Sequence, residues 1–137
     1  MDNTPPRLTL PTSSPARKDI QIVAGFIRYF PAAMVEVAKV SKAGNDQHNP
    51  GQPMHWARGK SMDHEECIVR HLIDSGDLEA VLVRGQSELV AEAGDDAVKE
   101  AIIREKAYRA WRSLADLQIA CEQLLGAPMA PAAKEAT

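Results

Sequence analysis

Apolar and polar positions recur along most of this chain with the three-and-four spacing of helices. After a short apolar segment, Ile20 to Ile27, the pattern predicts a first helix over about Pro31 to Ala43, with Pro31 at its first position and Gly44 just past its end. On a wheel of about 100° per residue, Met34, Val37, Ala38 and Ser41 face one way, Lys39 and Lys42 the other, and Glu36 lies at the seam. A second helix is expected over about Met62 to Ser75. There Ile68, Val69, Leu72 and Ile73 form an apolar arc, while Asp63, Glu66, Cys67, Arg70, His71 and Asp74 crowd the rest. Residues 77–94 are ambiguous between strand and helix and are assigned helix. From a cap at Asp95 or Asp96, a long helix reaches about Leu125. Along it Ile103, Ala107, Ala110, Leu114, Leu117, Cys121 and Leu124 make a packing seam suited to a bundle or dimer. Glu105, Arg109, Arg112 and Asp116 line the opposite side, which is expected to be a solvated charged face.

Between the first two helices, Asn45 to Gly59 contains Pro50, Gly51 and Pro53 and reads as loop. A loop this long in a small domain is usually functional or disordered, and Trp56 argues against disorder. All four histidines, His48, His55, His64 and His71, fall between Gly44 and Asp74, among acids and amides. That composition marks the segment as the seat of the chemistry. The chain divides into a Pro-rich flexible tail (1–18), one helical domain (19–125) and a second flexible tail (126–137).

With 137 residues and a net charge of −3, one domain is expected, and no basic stripe offers itself to duplex nucleic acid. No apolar run approaches the length of a membrane span and no signal pattern opens the chain, so a cytoplasmic location is expected. Cys67 and Cys121 lack CxxC spacing and read as buried free thiols.

Hard divalent cations take oxygen ligands, commonly a few carboxylates plus substrate phosphates. Asp63 and Glu66 lie three apart on a helix and so point the same way. They form a half-site that Glu36 or Asp116 can complete. Arg58, Lys60 and Arg70 are placed to neutralise phosphate, Trp56 offers a stacking face for a base, and Asn45, Gln47 and Asn49 offer amide edges. Asp63, Glu65 and Glu66 are also what the helix dipole favours in any first turn, and Glu66 to Arg70 is an ordinary helical ion pair. Zinc is disfavoured, because no second Cys/His pair is spaced to complete His64 and Cys67.

The strings GNDQHNPGQPMHWARGKS, DHEECIVRHLID and AWRSLADLQ resemble the phage-encoded dATP/dGTP diphosphohydrolases, MazG-like members of the all-α nucleoside triphosphate pyrophosphohydrolases. The resemblance covers Ile27 to Gly76 and, more loosely, Ala110 to Gln118. It implies an all-α helical bundle built up by dimerisation, as a homodimer or homotetramer. It implies two or three Mg²⁺ or Mn²⁺ ions and hydrolysis of dGTP or dATP to the monophosphate and pyrophosphate. The setting implied is 2-aminoadenine nucleotide metabolism in the cytoplasm of an infected bacterial host. It also implies site roles. Glu36, Asp63 and Glu66 would bind metal, and Glu66, Arg70 and His71 would be catalytic. Asn45, Gln47, His48, Asn49 and Trp56 would bind the nucleotide, and Asp74, Glu105, Arg112 and Asp116 would stand nearby. Two departures fall on the third helix. Ser113 and Asp116 occupy the positions of an ExxD pair, and Glu105 stands where relatives carry a histidine. The alternatives are a non-enzymatic helical adaptor or regulator and a metal-dependent phosphomonoesterase.

Overall fold

A computed structural model of the chain describes residues 7–58, 62–84, 88–129 and 133–135. The fold is all-α, as expected. A short helix α1 (Ser14–Asp19) and a π-helical turn (Val23–Ile27) lead into α2 (Pro31–His48), α3 (His64–Arg84) and α4 (Glu88–Leu125). Among the described residues two three-residue strands, β1 (Trp56–Arg58) and β2 (Ala133–Glu135), pair in parallel with Trp56 opposite Ala133. No single helix among the described residues is long and apolar enough to cross a membrane; Ser14–Ile27 and Pro31–His48 pass that test only jointly, and they meet at 83°.

Pro31 begins α2 as its fixed φ allows, but the helix does not stop at Gly44. An interior glycine costs about 1 kcal/mol relative to alanine, too little to break a helix that packs on a neighbour. The stop comes at Asn49, before Pro50 and Gly51, whose φ is 76°. Asn45, Gln47 and His48 therefore ride on α2 and not on a loop. In the same way α3 passes Gly76 and takes in half of the ambiguous stretch. Gly126 ends α4 with φ 70°, where a C-terminal stop was expected. In the N-terminal stretch Ser13 caps α1, and Arg7 donates to the Leu125 carbonyl.

Both α2 and α3 pack on α4. The core is thin and made of small side chains, with Val40, Cys67, Val98, Ile102, Ala107 and Ala115 buried. The orientation of α3 is its most informative feature. His64, Cys67 and Ser75 are buried, whereas Val69, Leu72 and Ile73 are at least half exposed. The stripe of His64, Cys67, His71 and Ser75 thus faces inward at α4, while Val69, Leu72 and Ile73 of the apolar arc and Asp63, Glu66, Arg70 and Asp74 of the polar one are exposed. On α4 the seam is split, with Ala107 buried and Ala110 and Cys121 half-buried. Ile103, Leu114, Leu117 and Leu124 of the seam are exposed, while Glu105 and Arg112, expected on a solvated face, are the residues that reach α3.

Candidate functional site

The loop after α2 is tied down by Asn45, which is only 5% exposed. Its Nδ2 donates to the Gln52 carbonyl at 3.0 Å, and its Oδ1 accepts from the His55 amide at 3.4 Å. Each end of this amide bonds the loop's own backbone. Asn45 positions the segment that carries His55 and Trp56. Gln47 and His48 are exposed and Asn49 is half-buried.

At the N-terminus of α3, Asp63 accepts from Arg70 Nη2 at 3.2 Å, Cys67 Sγ lies 3.6 Å from the same oxygen, and Arg112 Nη1 stands 3.9 Å from the other. Its carboxyl is held below the usual aspartate range, first by the Arg70 hydrogen bond, then by its own backbone amide, and further by Cys67 and the Arg112 charge, against a smaller opposing push from burial. Arg70 is raised correspondingly, chiefly by Asp63. Arg112 Nη1 also lies 3.4 Å from His64 Nδ1. A guanidinium only donates, so Nδ1 accepts and the imidazole proton sits on Nε2, which is buried without a partner. Asp63 is thus already neutralised by guanidinium groups. Glu66 is exposed, with no hydrogen bond or ion pair among the described residues, and Glu36 pairs with Lys39 at 3.0 Å. These three acids, expected to share a metal, are not brought together. Arg70 and Arg112 hold the first, Lys39 holds the third, and Glu66 faces solvent.

Two turns further along α3 the geometry differs. His71 and Asp74, three apart, project toward Glu105 of α4, and one donor atom from each lies within 4.8 Å of the other two. This is the one such group among the described residues. His71 Nδ1 contacts Glu105 Oε2 directly, and both side chains are about three-quarters buried. The imidazole stacks on Tyr108 one turn beyond Glu105, with ring centroids 5.0 Å apart and planes 10° from parallel. Donors of one ion at about 2.0–2.2 Å lie at most about 4.4 Å from one another, so small side-chain rotations close this set on a cation. Two carboxylates and one imidazole suit Mn²⁺ better than Mg²⁺, which favours an all-oxygen shell.

Two clefts flank α2 where it meets α4. One, of about 560 Å³, is lined by Glu36, Lys39, Lys99, Glu100, Arg104 and Tyr108, so the ring that stacks on His71 also forms its wall. The other, of about 530 Å³, holds Trp56 and Trp111. Asp116 is exposed, Lys60 lies outside the described residues, and Arg58 is placed only by its backbone in β1. Tyr108 and Trp111 went unread as site residues. The signal for Tyr108 was its position one turn from Glu105; Trp111 stood in the AWR string without a role.

No protein-family model, curated protein or solved structure matches this chain. The MazG-like resemblance therefore rests on the quoted strings alone.

Proposed function

We propose that this chain is a metal-dependent pyrophosphohydrolase of purine deoxynucleoside triphosphates, with the divalent cation held by His71, Asp74 and Glu105. The observation that carries the reading is the convergence of those three donors between α3 and α4. In the overall reaction, water adds to the α-phosphorus of dGTP or dATP and the α–β bridging bond breaks, giving the monophosphate and pyrophosphate. A cation bound there supplies Lewis acidity, lowering the pKa of a bound water and offsetting charge on the phosphates. The chain's own part is to fix the donors: Glu105 orients His71, and Tyr108 holds the ring plane. Lys99 and Arg104, in the cleft that Tyr108 shares, are the cations best placed to receive phosphate oxygens. Arg70 and Arg112 are committed to Asp63 and contribute less than their charge suggests.

Self-association belongs to the same reading. The bare arcs of Val69, Leu72 and Ile73 on α3 and of Leu114 and Leu117 on α4 are what a second copy would cover. The same arcs favour the adaptor reading, in which they receive another protein. Incubation with dGTP and Mn²⁺, with chromatographic separation of products, decides among the three. dGMP with pyrophosphate supports hydrolysis at the α-phosphorus, inorganic phosphate supports a phosphomonoesterase, and intact dGTP supports the adaptor. A sedimentation profile expected to show dimer or tetramer at micromolar chain checks the assembly.

A further inference from the structure

We infer that the cleft between α2, the loop after it and the second half of α4 is a nucleobase-binding site, in which Trp111 stacks the base and Gln118 reads its edge. The assignment rests on the nucleotide reading for its choice of ligand, but it is carried by different residues from the His71 cluster. Trp56 comes from the anchored loop and Trp111 from α4, and their rings meet edge to face, with centroids 5.8 Å apart at 73°. The Arg112 guanidinium lies over Trp111, 5.8 Å from its ring centroid, and both rings border the cleft. Aliphatic neighbours do not seal them, since Met54 and Leu114, which line the same cleft, are 49% and 45% exposed. The result is an open apolar slot of about 530 Å³, within the range of small-molecule sites and too exposed to serve as core.

Its polar groups are few and fixed. Gln118 Nε2 donates to Glu122 Oε2 at 2.7 Å, which orients the amide and leaves Oε1 as the acceptor. Ser41, one turn along α2 from Val37, adds a hydroxyl. An acceptor beside an aromatic wall suits a planar base with N–H donors on one edge, such as guanine or a 2-aminopurine. Glu105 and Trp111 are six residues apart on α4, about 9 Å along the axis and about a third of a turn around it. The two sites therefore lie on different sides of α4, one turned toward α2 and the other toward α3.

The sequence provides its own probe, because both of its two tryptophans line this cleft. Titration of the full chain with deoxyguanosine in EDTA, followed by tryptophan fluorescence, tests base binding without metal or phosphate. Saturable quenching is expected. Trp111→Leu should weaken it at least about tenfold, Trp111→Tyr should restore it to within a few-fold, and Gln118→Leu should abolish any preference for deoxyguanosine over thymidine. Absence of saturable quenching up to millimolar nucleoside, in a chain that still hydrolyses dGTP, overturns the base site and leaves the proposed function standing. Quenching without hydrolysis keeps the base site and removes the hydrolase. Fluorescence that follows protein dilution and not nucleoside, with Trp111→Leu shifting the oligomer, assigns the cleft to a second copy and also overturns the inference.

Discussion

Helix α3 presents acids at two places, and they have been treated in opposite ways. At its N-terminus Asp63 is met by Arg70 and Arg112, its charge answered from within the protein and its pKa lowered accordingly. Two turns on, Asp74 and Glu105 converge on His71, with no lysine or arginine paired to any of the three among the described residues. A carboxylate already bonded to guanidinium gains little from a cation, since the arginine must first be displaced. A pair of carboxylates closed by one imidazole gains a great deal. Similar residue types at the same i,i+3 spacing therefore become a structural clasp in one place and a metal candidate in the other. The difference is made by what α4 places opposite.

The sharpest way to break this contrast is to remove one donor from each place. Glu105→Gln should reduce Mn²⁺ affinity by about a hundredfold or more in calorimetric titration and take dGTP turnover with it, whereas Asp63→Asn should leave that affinity within a few-fold. Equal losses would erase the distinction. Thermal unfolding gives a second measure. Mn²⁺ at a hundred times its Kd should stabilise the chain by about 2.7 kcal/mol, and that upward shift in Tm should vanish in Glu105→Gln. Tyr108→Leu removes the ring that stacks on His71 and should weaken Mn²⁺ by about tenfold, the size expected when a ligand loses its orienting neighbour.

The smallest effect concerns Asp63. A carboxyl whose pKa is depressed on folding adds stability above the unfolded aspartate value and loses it as pH falls through the folded one. The wild-type urea midpoint should therefore fall slightly faster than that of Asp63→Asn below about pH 4. Parallel profiles would show that the pair with Arg70 is too solvated to matter.

Helix periodicity made the all-α class legible, together with the start of α2 and the end of α4, because Pro31 and Gly126 are local signals. It could not say which arc of α3 would face α4. Hydrophobic patterning normally turns the apolar side inward; here His64, Cys67 and Ser75 go in and Val69, Leu72 and Ile73 stay out. His71, Asp74 and Glu105 were all visible as candidates, but their convergence depends on how α3 and α4 register, 34 residues apart at His71 and Glu105. Sequence could not show that the Asn45 amide also bonds Gln52 and His55.

That register has a single corner. Gly94 breaks the ladder of α4 with φ 81° and ψ 164°, a conformation essentially reserved for glycine. Nothing crowds its α-carbon, so a methyl group there would meet no neighbour and the penalty would be torsional alone, about 1–3 kcal/mol for Gly94→Ala. Everything that carries chemistry on α4, from Lys99 to Gln118, lies downstream of that bend. An alanine that straightened it would swing the whole downstream rod, turning one backbone torsion into a misaimed carboxylate some eleven residues away.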